Sequence, residues 1–177
     1  MVRSFRVLRL AVAVAAVAMG GAVWALDGTS RLSGAVNGQA ETWHVVTVGG
    51  ASGGYWSDMG TLHQVGVMAF SDPDGQRIDG AVEFSLTLDS RSDPMGVLDA
   101  TVTWYGDDLR HPYSVPPAHG HSVEVEIDRS RVEGDRIYLR GRLSAPLLRM
   151  LDADTESFDE TDSVEFDLDF DVAVERL

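Results

Sequence analysis

Apolar and polar residues alternate with a period of two through most of the chain after residue 30, and a helical period sustained over three turns is found nowhere. Alternation places every second side chain on one face of an extended strand, so the pattern predicts an all-β domain. Leu32 to Val36 reads as a short strand that ends in Asn37-Gly38, a dipeptide suited to the positive φ angles of a tight hairpin turn, with Glu41 to Val48 returning. The run from Gly49 to Gly54 is too rich in glycine to hold a strand and reads as a flexible loop. Leu62 to Phe70 is apolar enough for a central strand, and Asp72-Pro73-Asp74-Gly75 supplies the turn after it. Two alternating runs follow: Ile78 to Leu88, with Val82, Phe84, Leu86 and Leu88 inward, and Val97 to Tyr105, with Leu98, Ala100, Val102 and Trp104 inward.

Asp107 to Gly120 contains Pro112, Pro116 and Pro117 and is expected to be a long ordered loop. Ser122 to Asp128 and Arg136 to Ala145 form a hairpin about Glu133-Gly134-Asp135. The expected register pairs Glu124 with Arg142 and Glu126 with Arg140 on the outer face. Pro146 to Ala153 fits either a short amphipathic helix behind a first-position proline or a continuation of the strand; the helix is the leading reading. The C-terminal alternation is the most regular: Val164, Phe166, Leu168, Phe170, Val172 and Val174 on one face, Glu165, Asp167, Asp169 and Asp171 on the other. About eight strands with short connections predict an antiparallel β-sandwich, with a closed β-barrel as the alternative.

The N-terminus changes the picture from a domain to an exported domain. Arg3, Arg6 and Arg9 precede an apolar run, and small residues lead to Val23-Trp24-Ala25, the order of a cleaved secretory signal. Residues 1–25 are read as signal peptide, with Gly20-Gly21-Ala22 as a second cleavage site, and residues 26–177 as a single β domain. The uncharged stretch from Leu10 to Leu26 is 17 residues long, so an uncleaved anchor is the alternative. No cysteine follows for lipid attachment, and the arginines are not adjacent as a twin-arginine signal requires. The expected location is the periplasm or the medium.

The chain has no Cys and no Lys, which removes disulfides, thiolate ligands, cysteine nucleophiles and lysine Schiff bases. Its 28 acids against 14 arginines give −14; without the leader's three arginines the balance is 28 against 11, or −17. Nucleic acid and anionic membrane surfaces are poor partners for such a charge.

Three groups of residues could carry chemistry. His111, His119 and His121 crowd one Pro-rich loop. A His-x-His pair in extended backbone puts both imidazoles on one side about 7 Å apart, able to share Zn²⁺ or Cu²⁺. The alternative is three solvated histidines. The acidic run from Asp152 to Asp162 with the strand after it has the oxygen ligands for Ca²⁺, but it lacks the glycine of a compact calcium loop, so a solvated acidic face is preferred. Tyr55, Trp56 and Asp58, with Tyr105, are aromatic and acidic groups expected on loops, where they could bind a ligand; Trp43 and Trp104 alternate as core residues. No Gly-x-Ser-x-Gly elbow, His-Glu-x-x-His, phosphate loop or dinucleotide fingerprint occurs. The leading expectation is an exported, non-catalytic domain that binds a ligand or protein partner through its loops. A histidine metal site and a structural subunit of an exported assembly are the alternatives.

Overall fold

The computed structural model describes residues 30–48, 51–116 and 122–177. The expected signal peptide at 1–25, His119 and His121 lie outside the described residues. The domain is all-β: β1 (Arg31–Val36), β2 (Gln39–His44), β3 (Thr47–Val48), β4 (Ala51–Ser52), β5 (Gly54–Asp58), β6 (Leu62–Ala69), β7 (Ala81–Asp89), β8 (Gly96–Tyr105), β9 (Tyr113–Ser114), β10 (Glu124–Glu133), β11 (Arg136–Asp152) and β12 (Ser157–Arg176). Ten of these form one sheet in the order β10-β11-β9-β8-β7-β6-β5-β12-β1-β2, and β3 pairs only with β4.

Local chemistry sets the turns. Asn37 and Gly38 take φ of 49° and 75°, the two positive angles that let a two-residue loop follow the strand twist between β1 and β2. Gly134, at φ 58°, begins the equally tight turn between β10 and β11. The amide of Gly75 donates to the carbonyl of Asp72 at 3.0 Å, closing the expected turn after β6.

The β11–β12 hairpin is the spine. It pairs from Arg136↔Glu175 to Asp152↔Ser157, and every second residue of β12 from Val164 to Val174 is buried. These side chains meet the other side of the core directly, with Phe84 of β7 and Phe170 of β12 at 5.4 Å between ring centroids and Trp43 of β2 and Phe166 at 5.7 Å. Beyond the hairpin, β12 pairs in parallel with β5, the sheet continues through β6, β7, β8 and β9, and β9 pairs with β11, so these seven strands form a ring. Three joints, β12–β5, β8–β9 and β9–β11, are only two residue pairs long. The sheet therefore folds over its own core through narrow corners.

Six expectations change. Residues 146–153 are not helical: β11 runs on to Asp152, with Leu147 and Leu148 buried. Pro146 falls between Ser144, the last residue paired to β10, and Leu148, the first paired to β9, so this edge asks nothing of its missing N–H. The glycine run is not a loop throughout, since β4 and the start of β5 lie in it. Tyr55 to Asp58 lie on a strand, and β5 and β9 bring the sheet to ten strands where about eight were expected. Leu98 points outward and is 58% exposed, because a register shift between Thr87 and Leu88 pairs Asp99 with Thr87 and Val97 with Leu88, leaving Leu98 unopposed. Finally, β10 sits two residues from its expected register: Val125 pairs with Leu143, Glu126 with Arg142 and Ile127 with Gly141, and a bulge then leaves Asp128 out. A slip of two keeps the buried face buried, so the apolar pattern could not choose between the registers. The two expected ion pairs are replaced on the outer face by Glu126 with Arg142 at 3.5 Å.

Candidate functional site: a split between two strand edges

The aromatic residues expected on loops are strand residues, and they do not share a site. Trp56 is 1% exposed; its indole N–H donates to the carbonyl of Asp135 at 3.0 Å, and the Arg176 guanidinium lies over its ring at 5.3 Å from the centroid. Tyr55 is outward and lies over Gly66 of β6, where a Cβ would come within 2.6 Å of the ring, so the glycine makes room for it. Tyr105 ends β8, and two strands separate it from β5, about 14 Å across the sheet. Its hydroxyl donates to Glu83 at 2.9 Å, and partial burial followed by that carboxylate pushes its pKa up to about 12. Asp58 accepts the Gly60 amide at 2.9 Å and faces Arg176 at 3.4 Å. Beside it His63 is buried edge-on to Trp56, with Nδ1 3.7 Å from Asp58 and without a hydrogen-bond partner. The His63 side chain is 9% exposed and that of Asp58 is 32% exposed.

Of the three loop histidines only His111 is described, and Asp108 holds its Nδ1 at 2.8 Å. Arg149 of β11 donates to Asp108 at 3.0 Å and to Asp162 at 3.2 Å, and the Tyr113 hydroxyl donates to Asp162 at 2.9 Å. The His111 hydrogen bond, then the Arg110 amide, hold the Asp108 carboxyl below its usual range. This network fastens the loop after β8 onto the far end of the β11–β12 hairpin. Among the described residues no three His, Cys, Asp or Glu side chains are grouped to hold a metal ion. The acidic row of β12 is instead flanked by arginines in register, with Asp171 between Arg31 and Arg140 and Asp169 beside Arg142.

A different place has the form of a binding site. β9 and β10 lie in line against one edge of β11, β9 on Leu148–Arg149 and β10 on Arg136–Ser144. β8 pairs with β9 at Thr103 and Trp104, but from Val102 back to Gly96 no strand among the described residues pairs with that edge. At the far end the Met95 amide donates to Ser130 Oγ of β10 at 2.8 Å. β8 and β10 thus meet where Met95 reaches Ser130, and a cleft lies between them farther along. The split is a cleft of about 460 Å³, within the range that holds small ligands, lined by Val97, Leu98 and Ala100 on one side and Val115, Val123 and Val125 on the other. All but Leu98 pack against the core from partly exposed positions, so the core reaches the surface here. Asp99 lies at the cleft on one side, and Glu124 and Glu126 on β10 are exposed on the other. A larger cleft, about 650 Å³, lies between the β10–β11 turn and Leu177, but apart from Leu177 it is lined by charged residues, among them Arg136 paired with Glu175 at 2.8 Å.

The alternation in Val97 to Tyr105 and in Ser122 to Asp128 marked these residues as strands, yet nothing in it marked their edges as unpaired. The nearest signal was the proline-rich segment between them in the sequence.

No family model, curated protein or solved structure matches the chain.

Proposed function

We propose that this is an exported, non-catalytic binding domain, delivered to the periplasm or the medium by the leader at residues 1–25, and that it takes its ligand in the cleft between β8 and β10. The reading rests on one observation: the core's apolar side chains reach solvent in a cleft of about 460 Å³, along a stretch of β8 whose second edge pairs with no strand among the described residues. Apolar residues left at a surface indicate a partner that covers them. The charge of −14 and the acidic groups beside the cleft disfavour nucleic acid and anionic lipid as that partner.

The test uses N-phenyl-naphthylamine, an uncharged apolar dye whose fluorescence rises on leaving water. The full chain should bind it saturably at one site, and Ala100→Trp, which fills the cleft, should abolish the signal while the far-ultraviolet circular dichroism stays that of a β protein. No saturable binding, or binding untouched by the substitution, would remove the proposal. Cell fractionation with N-terminal sequencing checks export: the mature chain should begin at Leu26.

A further inference from the structure

We infer that Asn37-Gly38 is a site of spontaneous deamidation that the fold holds in check, and that its isoaspartyl product releases the tip of the β1–β2 hairpin from β12. Three observations carry it.

The first is the chemistry of the pair. Asn37 is the only asparagine of the chain, and glycine follows it. The side-chain amide of an asparagine is open to attack by the backbone nitrogen of the next residue, and that nitrogen is least shielded when the residue has no Cβ. Both residues are exposed, and the space about Gly38 is open. Water is the only co-reactant. The Gly38 nitrogen gives up its proton and bonds to Cγ of Asn37, the Cγ–Nδ2 bond breaks, and Nδ2 leaves with that proton as ammonia. Water then opens the cyclic imide at either carbonyl. Attack at Cγ gives aspartate, and attack at the backbone carbonyl carbon gives isoaspartate, in which the main chain runs through Cγ.

The second is the clamp that opposes this reaction. β1 lies between β12 and β2 in the sheet. At its end the Asn37 amide donates to the carbonyl of Glu165 at 2.8 Å, and the Glu165 amide donates to Oδ1 of Asn37 at 2.9 Å. The side chain stands in for a backbone carbonyl and carries the β1–β12 ladder one residue past the Val36↔Phe166 pair. It is held toward β12, whereas the chain turns at Gly38 toward β2, so Cγ must leave Glu165 before the Gly38 nitrogen can reach it.

The third is what each product can keep. Aspartate still offers an oxygen to the Glu165 amide from the same place and tolerates the φ of 49° found at residue 37. Isoaspartate puts an extra carbon into the main chain of a two-residue turn and hangs its carboxylate from Cα, so neither the turn nor the acceptor is restored.

The experiment ages the full chain at mildly alkaline pH, folded and in urea. Peptide mass mapping reads the exchange of amide for acid at residue 37, isoaspartyl methyltransferase labelling reads the isoaspartate, and NMR hydrogen exchange reads the Glu165 amide. Conversion should appear in urea and be about tenfold slower or more in the folded chain, because the reactive form is reached only by breaking the clamp. Asn37→Gly keeps the positive φ and removes the acceptor, so its Glu165 amide should exchange about tenfold faster, while Asn37→Asp should keep the protection. The isoaspartyl fraction should exchange like Asn37→Gly. Absence of conversion in urea removes the site, and equal rates in the folded and unfolded chains overturn the clamp. A Glu165 amide as well protected in the isoaspartyl fraction as in the fresh protein overturns the release.

Discussion

The β11–β12 hairpin and the split between β8 and β10 are built from the same kind of alternating sequence and end in opposite states. In β12 the alternation is unbroken from Val164 to Val174, and both of its edges are paired, to β11 on one side and to β1 and β5 on the other. In β8 the alternation slips at Leu98, and beyond Thr103 and Trp104 its second edge pairs with no strand among the described residues. What separates the two is continuity of partners, since both are apolar enough to be covered. Regular pairing seals the core along the hairpin, and interrupted pairing leaves apolar residues at the surface beside the split.

That contrast should appear most strongly in truncations. Phe170→Ala, on the sealed side and stacked near Phe84, should cost about 3–5 kcal/mol in urea denaturation. Val123→Ala, partly exposed at the cleft, should cost on the order of 1 kcal/mol or less. A loss at Val123 as large as that at Phe170 would mean that the split is closed in solution. Next in size is Trp56→Phe, which keeps the buried ring but removes the bond to Asp135 that ties β5 to the β10–β11 turn. It should cost about 1–2 kcal/mol by the same measurement.

β8 itself contains both states, and its paired end can be followed by pH. With its pKa raised to about 12 in the folded protein against about 10 when unfolded, Tyr105 loses its proton first in the unfolded chain. Its contribution to stability is complete below pH 10 and is lost as pH rises from about 10 to 12. Tyrosinate absorbance should show a late-titrating group that is absent from Tyr105→Phe. If the tyrosine lost in Tyr105→Phe is instead one that titrates near 10, the burial and the Glu83 bond that raise it are not formed.

The strands were readable wherever one face is buried and the other wet, which is why the inward row of β12 and that of β7 were predicted residue by residue. Alternation reports which face is buried and nothing about which edge has a partner. Trp56 shows the same limit: followed by polar residues and preceded by glycines it resembled a loop aromatic, but β5 is a short strand whose burial comes from β12, more than a hundred residues away in the chain. The helix expected at 146–153 failed for a tertiary reason too, because β12 offers a partner to residues whose local pattern fits both states. The cleft is likewise non-local, depending on how β9 and β10 divide one edge of β11.

The smallest effect tests the register of β10, one side of the split. Glu126 and Arg142 face each other at 3.5 Å with both side chains mostly exposed, so a double-mutant cycle to alanine should give a coupling of about 0–1 kcal/mol. High salt should remove most of it. The pairs expected from the sequence, Glu124 with Arg142 and Glu126 with Arg140, should couple less than this one, because the bulge at Asp128 sets Arg140 opposite Arg129 and Ser144 opposite Glu124. A larger coupling for either would place β10 two residues along its neighbour. Val125 would still face inward, since a slip of two preserves the buried face, but it would stand elsewhere along β8, and the cleft would be lined differently.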